Sequence, residues 1–150
     1  MGIYFKNYAE QNFMLAIFHG EVVDDELDAH TTELLKEKYN TPKKIGLTVF
    51  CKNAVTEKLS HRMLISTAQR MQQASFRKNS KLALVANNTV DFGMAKTYQI
   101  ACKQELFNEE VIVLRGDELD SAIQWLGVTA FASEIWNKVN QIESASAILI

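Results

Sequence analysis

The chain has 150 residues, 47% hydrophobic and 23% charged, with a formal net charge of −2. That balance predicts one soluble globular domain with a core that needs no staples. One proline and six glycines argue against a long disordered linker, and no apolar run approaches the roughly 18 residues of a membrane span.

In chain order, residues 2–7 (GIYFKN) and 13–19 (FMLAIFH) are β-rich and separated by a short polar stretch, which predicts a hairpin. The second run is apolar at both Phe13, Leu15, Ile17 and Met14, Ala16, Phe18, the pattern of a strand buried on two sides. Val23, Leu27, His30 and Leu34 then fall on one helical stripe, with acids at its start, Lys36 and Lys38 near its end, and Asn40-Thr41-Pro42 as its stop. A strand follows at 44–51, with Ile45, Leu47, Val49 and Cys51 on one face. KNAVTEKL leads into a helix reaching about Phe76. A strand at 81–86, a helix keeping Met94, Tyr98 and Ala101 in step, and a strand at 110–115 come next. Asp117 is expected to cap a short helix closed by Gly127. The last helix carries Phe131, Ile135, Val139 and Ile142 on one face, to pack on the sheet or to await a partner. The order ββαβαβαβαα predicts an α/β fold. Its sheet is mixed but mainly parallel, with an N-terminal antiparallel hairpin.

Charge is unevenly spread. Glu21 to Asp28 holds five acids and no base; Lys52 to Lys81 holds seven bases and one acid, Glu57. The basic stretch reads either as a solvated helix face or as a field for an anionic partner. Nucleic acid is not expected, since the whole chain is slightly acidic and has no binding motif for it. The opening residues have neither a signal peptide's apolar core nor a myristoylation signal, Lys6 standing where Ser or Thr is needed. Cys51 and Cys102 form no metal or redox spacing, which predicts a cytoplasmic protein with reduced thiols.

GEVVDDELDAHTTELL after a buried strand, VDFGMAKTYQ after a middle strand and EVIVLRGDELDSAIQWLG near the end resemble the SpoIIAA-like branch of the STAS superfamily. The matching patterns are the G-x-V-T-D-x-E-L step at Gly20–Leu27, the F-G-x-A-x-x-Y helix at Phe92–Tyr98, and the ending at Val111–Leu126. The likeness covers about residues 3 to 127. It implies a SpoIIAA-like domain over 1–127, with 128–150 as a C-terminal helical extension. It also implies membership of a superfamily of anti-sigma-factor antagonists, transporter regulatory domains and relatives of lipid-binding folds. The antagonists are phosphorylated within an Asp-Ser-Ser-Gly-like signature. The corresponding stretch, Asn53 to His61, offers Thr56 and Ser60 as phosphoacceptors but lacks that signature.

In open α/β sheets ligands gather beyond the carboxyl ends of the strands, where helix N-termini favour anions. Cys51–Ser60 and Asn87–Gly93 should meet there, with Lys52, Lys58 and Arg62 adding positive field. The ligand-binding candidates are Lys52, Asn53, Thr56, Ser60, Asn87, Asn88, Thr89 and Gly93. The corner also has a purely structural reading. Asn87 and Asn88 turn the chain through left-handed backbone, Thr89 or Asp91 caps the helix, and Gly93 allows close packing. No Gly-rich phosphate loop, no His pair at i, i+4 and no zinc spacing is present. His19 ends a strand, His30 lies on an apolar stripe, and Ser60-His61 is no nucleophile–base pair, since adjacent helical residues diverge.

No catalytic constellation emerges and no cofactor is implied. The expected function is a non-enzymatic regulatory or binding module for a protein partner or a small anionic or lipid-like ligand. A lipid-like ligand would require an apolar cavity under the helices. The alternatives are a small enzyme with Cys51 or Ser60 as nucleophile, Cys51 activated by Lys52 and a helix start, and a protein that homodimerises through a sheet edge or its last helix.

Overall fold

The computed structural model describes residues 2–148 apart from 72, 73, 75 and 76. Ile3–Tyr8 (β1) and Phe13–Phe18 (β2) pair antiparallel. The turn between them ends on Asn12 at φ 53, a conformation its short polar side chain tolerates. Ile45–Phe50 (β3), Lys81–Ala86 (β4) and Glu110–Arg115 (β5) extend the sheet in parallel, in the order β1-β2-β3-β4-β5. The helices are Asp24–Leu34 (α1), His61–Met71 (α2), Thr89–Ala101 (α3), the one-turn Gln104–Phe107 (α4), Leu119–Leu126 (α5) and Ala132–Ile148 (α6). The fold is α/β with a five-stranded mixed sheet, one pair antiparallel and the rest parallel.

Several boundaries differ from the sequence reading. α1 stops at Leu34, before Asn40-Thr41-Pro42, because Lys36 turns extended (ψ 145) and a 3-10 turn at Glu37–Tyr39 brings Tyr39 into a buried cluster with Met14 and Met71. α2 begins only at His61; the Ser60 hydroxyl caps it by accepting from the Met63 N–H at 3.0 Å. The expected extension of that helix to Phe76 falls largely outside the described residues. Asp117 caps nothing. A 3-10 turn at Gly116–Glu118 leads into α5, and the Glu118 carboxylate accepts from the Arg115 N–H at 3.0 Å. Gly127 ends α5 in the left-handed conformation, φ 73, as expected.

The alternation of β2 and β3 divides the core into two layers. Phe13, Leu15, Ile17, Leu47, Val49 and Cys51 face α5 and α6, meeting Leu119, Ile123, Ile135 and Val139. Phe18, Phe50, Leu84 and Val111 face α1, α2 and α3, meeting Leu27, Leu64, Ala68 and Ala95. Ile135 and Val139 are 0% and 4% exposed. The last helix therefore spends the middle of its apolar stripe on this sheet, and the feature that motivated a dimer through that helix is internal.

Arg77, part of the basic run that the sequence reads either as a solvated face or as a field for an anionic partner, is buried. Its guanidinium forms a two-point ion pair with Glu109, donates to the Ala68 carbonyl at 3.2 Å and lies over the Phe107 ring. Ser80 Oγ donates to the same carboxylate at 3.3 Å. Removing one member leaves the other charged and unpaired in the interior. Arg77→Met is expected to cost about 3–5 kcal/mol, and Arg77→Met with Glu109→Leu distinctly less, by urea unfolding of the single and double variants.

Candidate functional site

The two strand-end segments do meet, but they bond to each other. The Thr56 hydroxyl, 1% exposed, donates to the Asp91 carboxylate. Asn88 Nδ2 donates to the other oxygen of Asp91 at 3.0 Å, and Asn88 Oδ1 accepts from the Asp91 N–H at 2.8 Å. Burial pushes the Asp91 pKa up, against the opposing effect of these bonds from Thr56 and Asn88. The N-cap of α3 is therefore Asn88, not Thr89 or Asp91. Its backbone is extended, φ −121, so the expected left-handed turn at this position is not what the asparagine supplies. Left-handed asparagines occur instead at 12, 79 and 108. Asn87 Nδ2 donates to the Phe50 carbonyl at 2.7 Å, and its amide packs so closely on Gly116 that any side chain there would collide with it. Gly93 is exposed, and a Cβ there would touch nothing, so neither close packing nor close approach requires a glycine.

The neighbouring candidates are also engaged. The Ser60 N–H and hydroxyl both donate to Asp24, at 2.8 Å each. Lys58 pairs with Glu21 at 3.2 Å, which cancels part of the expected positive field. Lys52 is exposed and its N–H donates to Glu143 at 2.7 Å. Asn53 is the exception, since both polar atoms of its amide are buried without a hydrogen-bond partner. Cys51 does not have the expected activated thiol. It is 0% exposed, and burial, reinforced by Glu143, pushes its pKa up to about 12. Cys102 is buried, its pKa likewise raised to about 12, by burial and then by Glu109. Among the described residues no cluster of three His, Cys, Asp or Glu side chains is placed to hold a metal ion.

The free space lies elsewhere. Between the sheet and α1–α3 is a partly enclosed cavity of about 140 Å³. Its floor is Ala16, Gly46 and Thr48 from β2 and β3; its roof includes Thr31, Thr67 and Ala95 from α1, α2 and α3. Ala16 and the roof residues present short side chains to the gap, and Leu82 leans over Gly46, where a Cβ would lie 3.1 Å from its Cδ1. Larger apolar walls come from Phe5, Phe18, Leu64 and Met94. The roof threonines are internally satisfied, Thr31 Oγ1 donating to the Leu27 carbonyl at 2.8 Å and pairing with Thr67 Oγ1 at 3.4 Å. His30 lines the cavity with its ring edge-on to Phe5, and burial, opposed by Glu33, lowers its pKa to about 4. The imidazole is therefore neutral at pH 7.

The amino ends of β3, β4 and β5 carry the cavity's polar groups. Ile45, Lys81 and Glu110 are aligned across the sheet. The residues just before them, Lys44, Ser80 and Glu109, therefore form a row on the cavity face, and all three line it. The sequence reading raised an apolar cavity under the helices for a lipid-like ligand but placed no residue in it, because its named candidates lie at the carboxyl ends of the strands. The available signal was the small residues Ala16, Gly46 and Thr48 on one face of two adjacent central strands. Neither the scan of protein-family models nor the search of curated proteins finds a match to this chain.

Two outcomes test this geometry. Native protein treated with a thiol reagent should leave Cys51 and Cys102 unmodified until it unfolds; rapid native labelling of Cys51 would contradict its burial. His30 takes a proton more readily unfolded (about 6.5) than folded (about 4). Its share of stability is thus complete above pH 6.5 and lost as pH falls from 6.5 to 4, up to about 3 kcal/mol. His30→Phe should flatten the urea-unfolding free energy across that window.

Proposed function

We propose that this protein is a non-enzymatic binding module of the STAS-like, SpoIIAA-like kind, whose ligand is a small, largely apolar molecule held between the sheet and α1–α3. The observation that carries the reading is the cavity of about 140 Å³ floored by Ala16, Gly46 and Thr48. It is close in size to apolar cavities of about 150 Å³ that bind benzene. Apart from Asn53, whose amide is unpartnered, the strand-end corner is satisfied internally, which supports the same reading, because Thr56, Asn87 and Asn88 already use their polar groups on Asp91 and Phe50. A buried, high-pKa Cys51 and a Ser60 hydroxyl occupied by Asp24 weigh against nucleophilic catalysis. The resemblance to a superfamily with lipid-binding relatives fits an amphipathic ligand, although a cavity of this size takes a ring or a short chain rather than a long acyl tail.

A benzene-sized ligand in such a site should bind with Kd of about 10 µM to 1 mM. Titration of ¹⁵N-labelled protein with toluene is expected to shift amide resonances of Ala16, Gly46, Thr67 and Ala95. Ala16→Leu, which puts an isobutyl group into the cavity, should abolish those shifts. Shifts confined to the Cys51–Ser60 and Asn87–Gly93 corner, or no saturable shift at all, would overturn the reading.

A further inference from the structure

Lys44 is 4% exposed, yet among the described residues its amine has neither an ion-pair nor a hydrogen-bond partner. A lysine so placed is unusual: its stem is buried, while its amine is not among the fully enclosed polar atoms and so faces open space. It lines the cavity at the start of β3, on the same face as Gly46 and Thr48. Gly46 puts no side chain between them. The other ionised groups at this end are engaged elsewhere, Arg77 with Glu109 and Lys81 over the Trp125 ring, which belongs to the opposite layer, and His30 is neutral at pH 7. The polar end of the cavity is therefore short of one negative charge. Burial also lowers the pKa of Lys44, and a bound anion would reverse that shift.

We propose that Lys44 is the recognition group for the head of the ligand, and that the ligand is a monocarboxylate with an apolar body of about benzene size. This rests on the cavity being a binding site and adds the chemical class that fills it. One unmatched cation calls for a single negative charge; a phosphate dianion would need further donors, and the nearby Ser80 hydroxyl and Arg77 guanidinium already serve Glu109.

The test compares benzoate with nitrobenzene, which has nearly the same shape and no net charge, by NMR titration at pH 7. Wild-type protein should bind benzoate at least tenfold more tightly. Lys44→Met should lose that preference while binding nitrobenzene unchanged. Lys44→Gln gives the same comparison if the Met variant does not fold. Equal binding of the two probes to wild type, or a preference that survives in the variants, overturns the role of Lys44 and leaves the cavity reading standing. Failure of both probes to bind wild type overturns both.

Discussion

The sheet order β1-β2-β3-β4-β5 is the constraint from which the remaining organisation follows. Parallel strands added always in the same direction, through crossovers of one hand, send every connecting helix to the same face. α1, α2 and α3 accordingly share one layer. The opposite face carries Phe13, Leu15, Ile17, Leu47 and Val49 and would be bare without a second layer. α5 and α6 supply it, which is why Ile135 and Val139 are buried. A sheet covered on one face only would expose an apolar area that soluble monomers avoid.

The same topology controls where chemistry can occur. Ligand crevices at strand ends open where neighbouring strands send their connections to opposite faces. Here that happens between β4, followed by α3, and β5, followed by α5. Asn87 fills that opening, its amide bonded to Phe50 and lodged on Gly116. The space left in the molecule is instead between layers, where Ala16 and Gly46 face Thr67 and Ala95. The charge asymmetry of the chain is likewise used internally. Acids of the Glu21–Asp28 stretch meet bases from α2 and the loop before it, Asp28 with Arg70 and Glu21 with Lys58. These exposed pairs contribute little each, about 0–1 kcal/mol, and they engage two of the seven bases of the basic segment, Lys58 and Arg70.

The strands were largely legible. β4 and β5 have the bounds that their apolar runs suggest, and the two-sided apolarity of β2 matches a strand with every residue buried. Helix ends were less so, because they depend on which side chain reaches which orphan amide. Asn88, Thr89 and Asp91 are all acceptable caps by type. Only the position of Thr56, which draws the Asp91 carboxylate inward, leaves Asn88 as the cap. Arg77 and Glu109 lie 32 residues apart, and nothing local marks them as partners rather than as surface charges. Lys44 reads as one of many lysines until its strand is given a register and its burial becomes visible.

By itself the sequence determined the class of fold. Hydrophobic periodicity is a local property, and it sorts segments into strands buried on two sides and helices buried on one. The tertiary structure alone decided where the molecule is closed and where it is open. A cavity is a deficit of volume between elements distant in the chain, and an unmatched charge is a deficit of partners in the same sense. Ala16, Gly46, Thr67 and Ala95 leave a gap only because β2 and β3 pass beneath α2 and α3. Lys44 stands without a counter-charge in a row of the sheet whose one carboxylate, Glu109, is bound by Arg77.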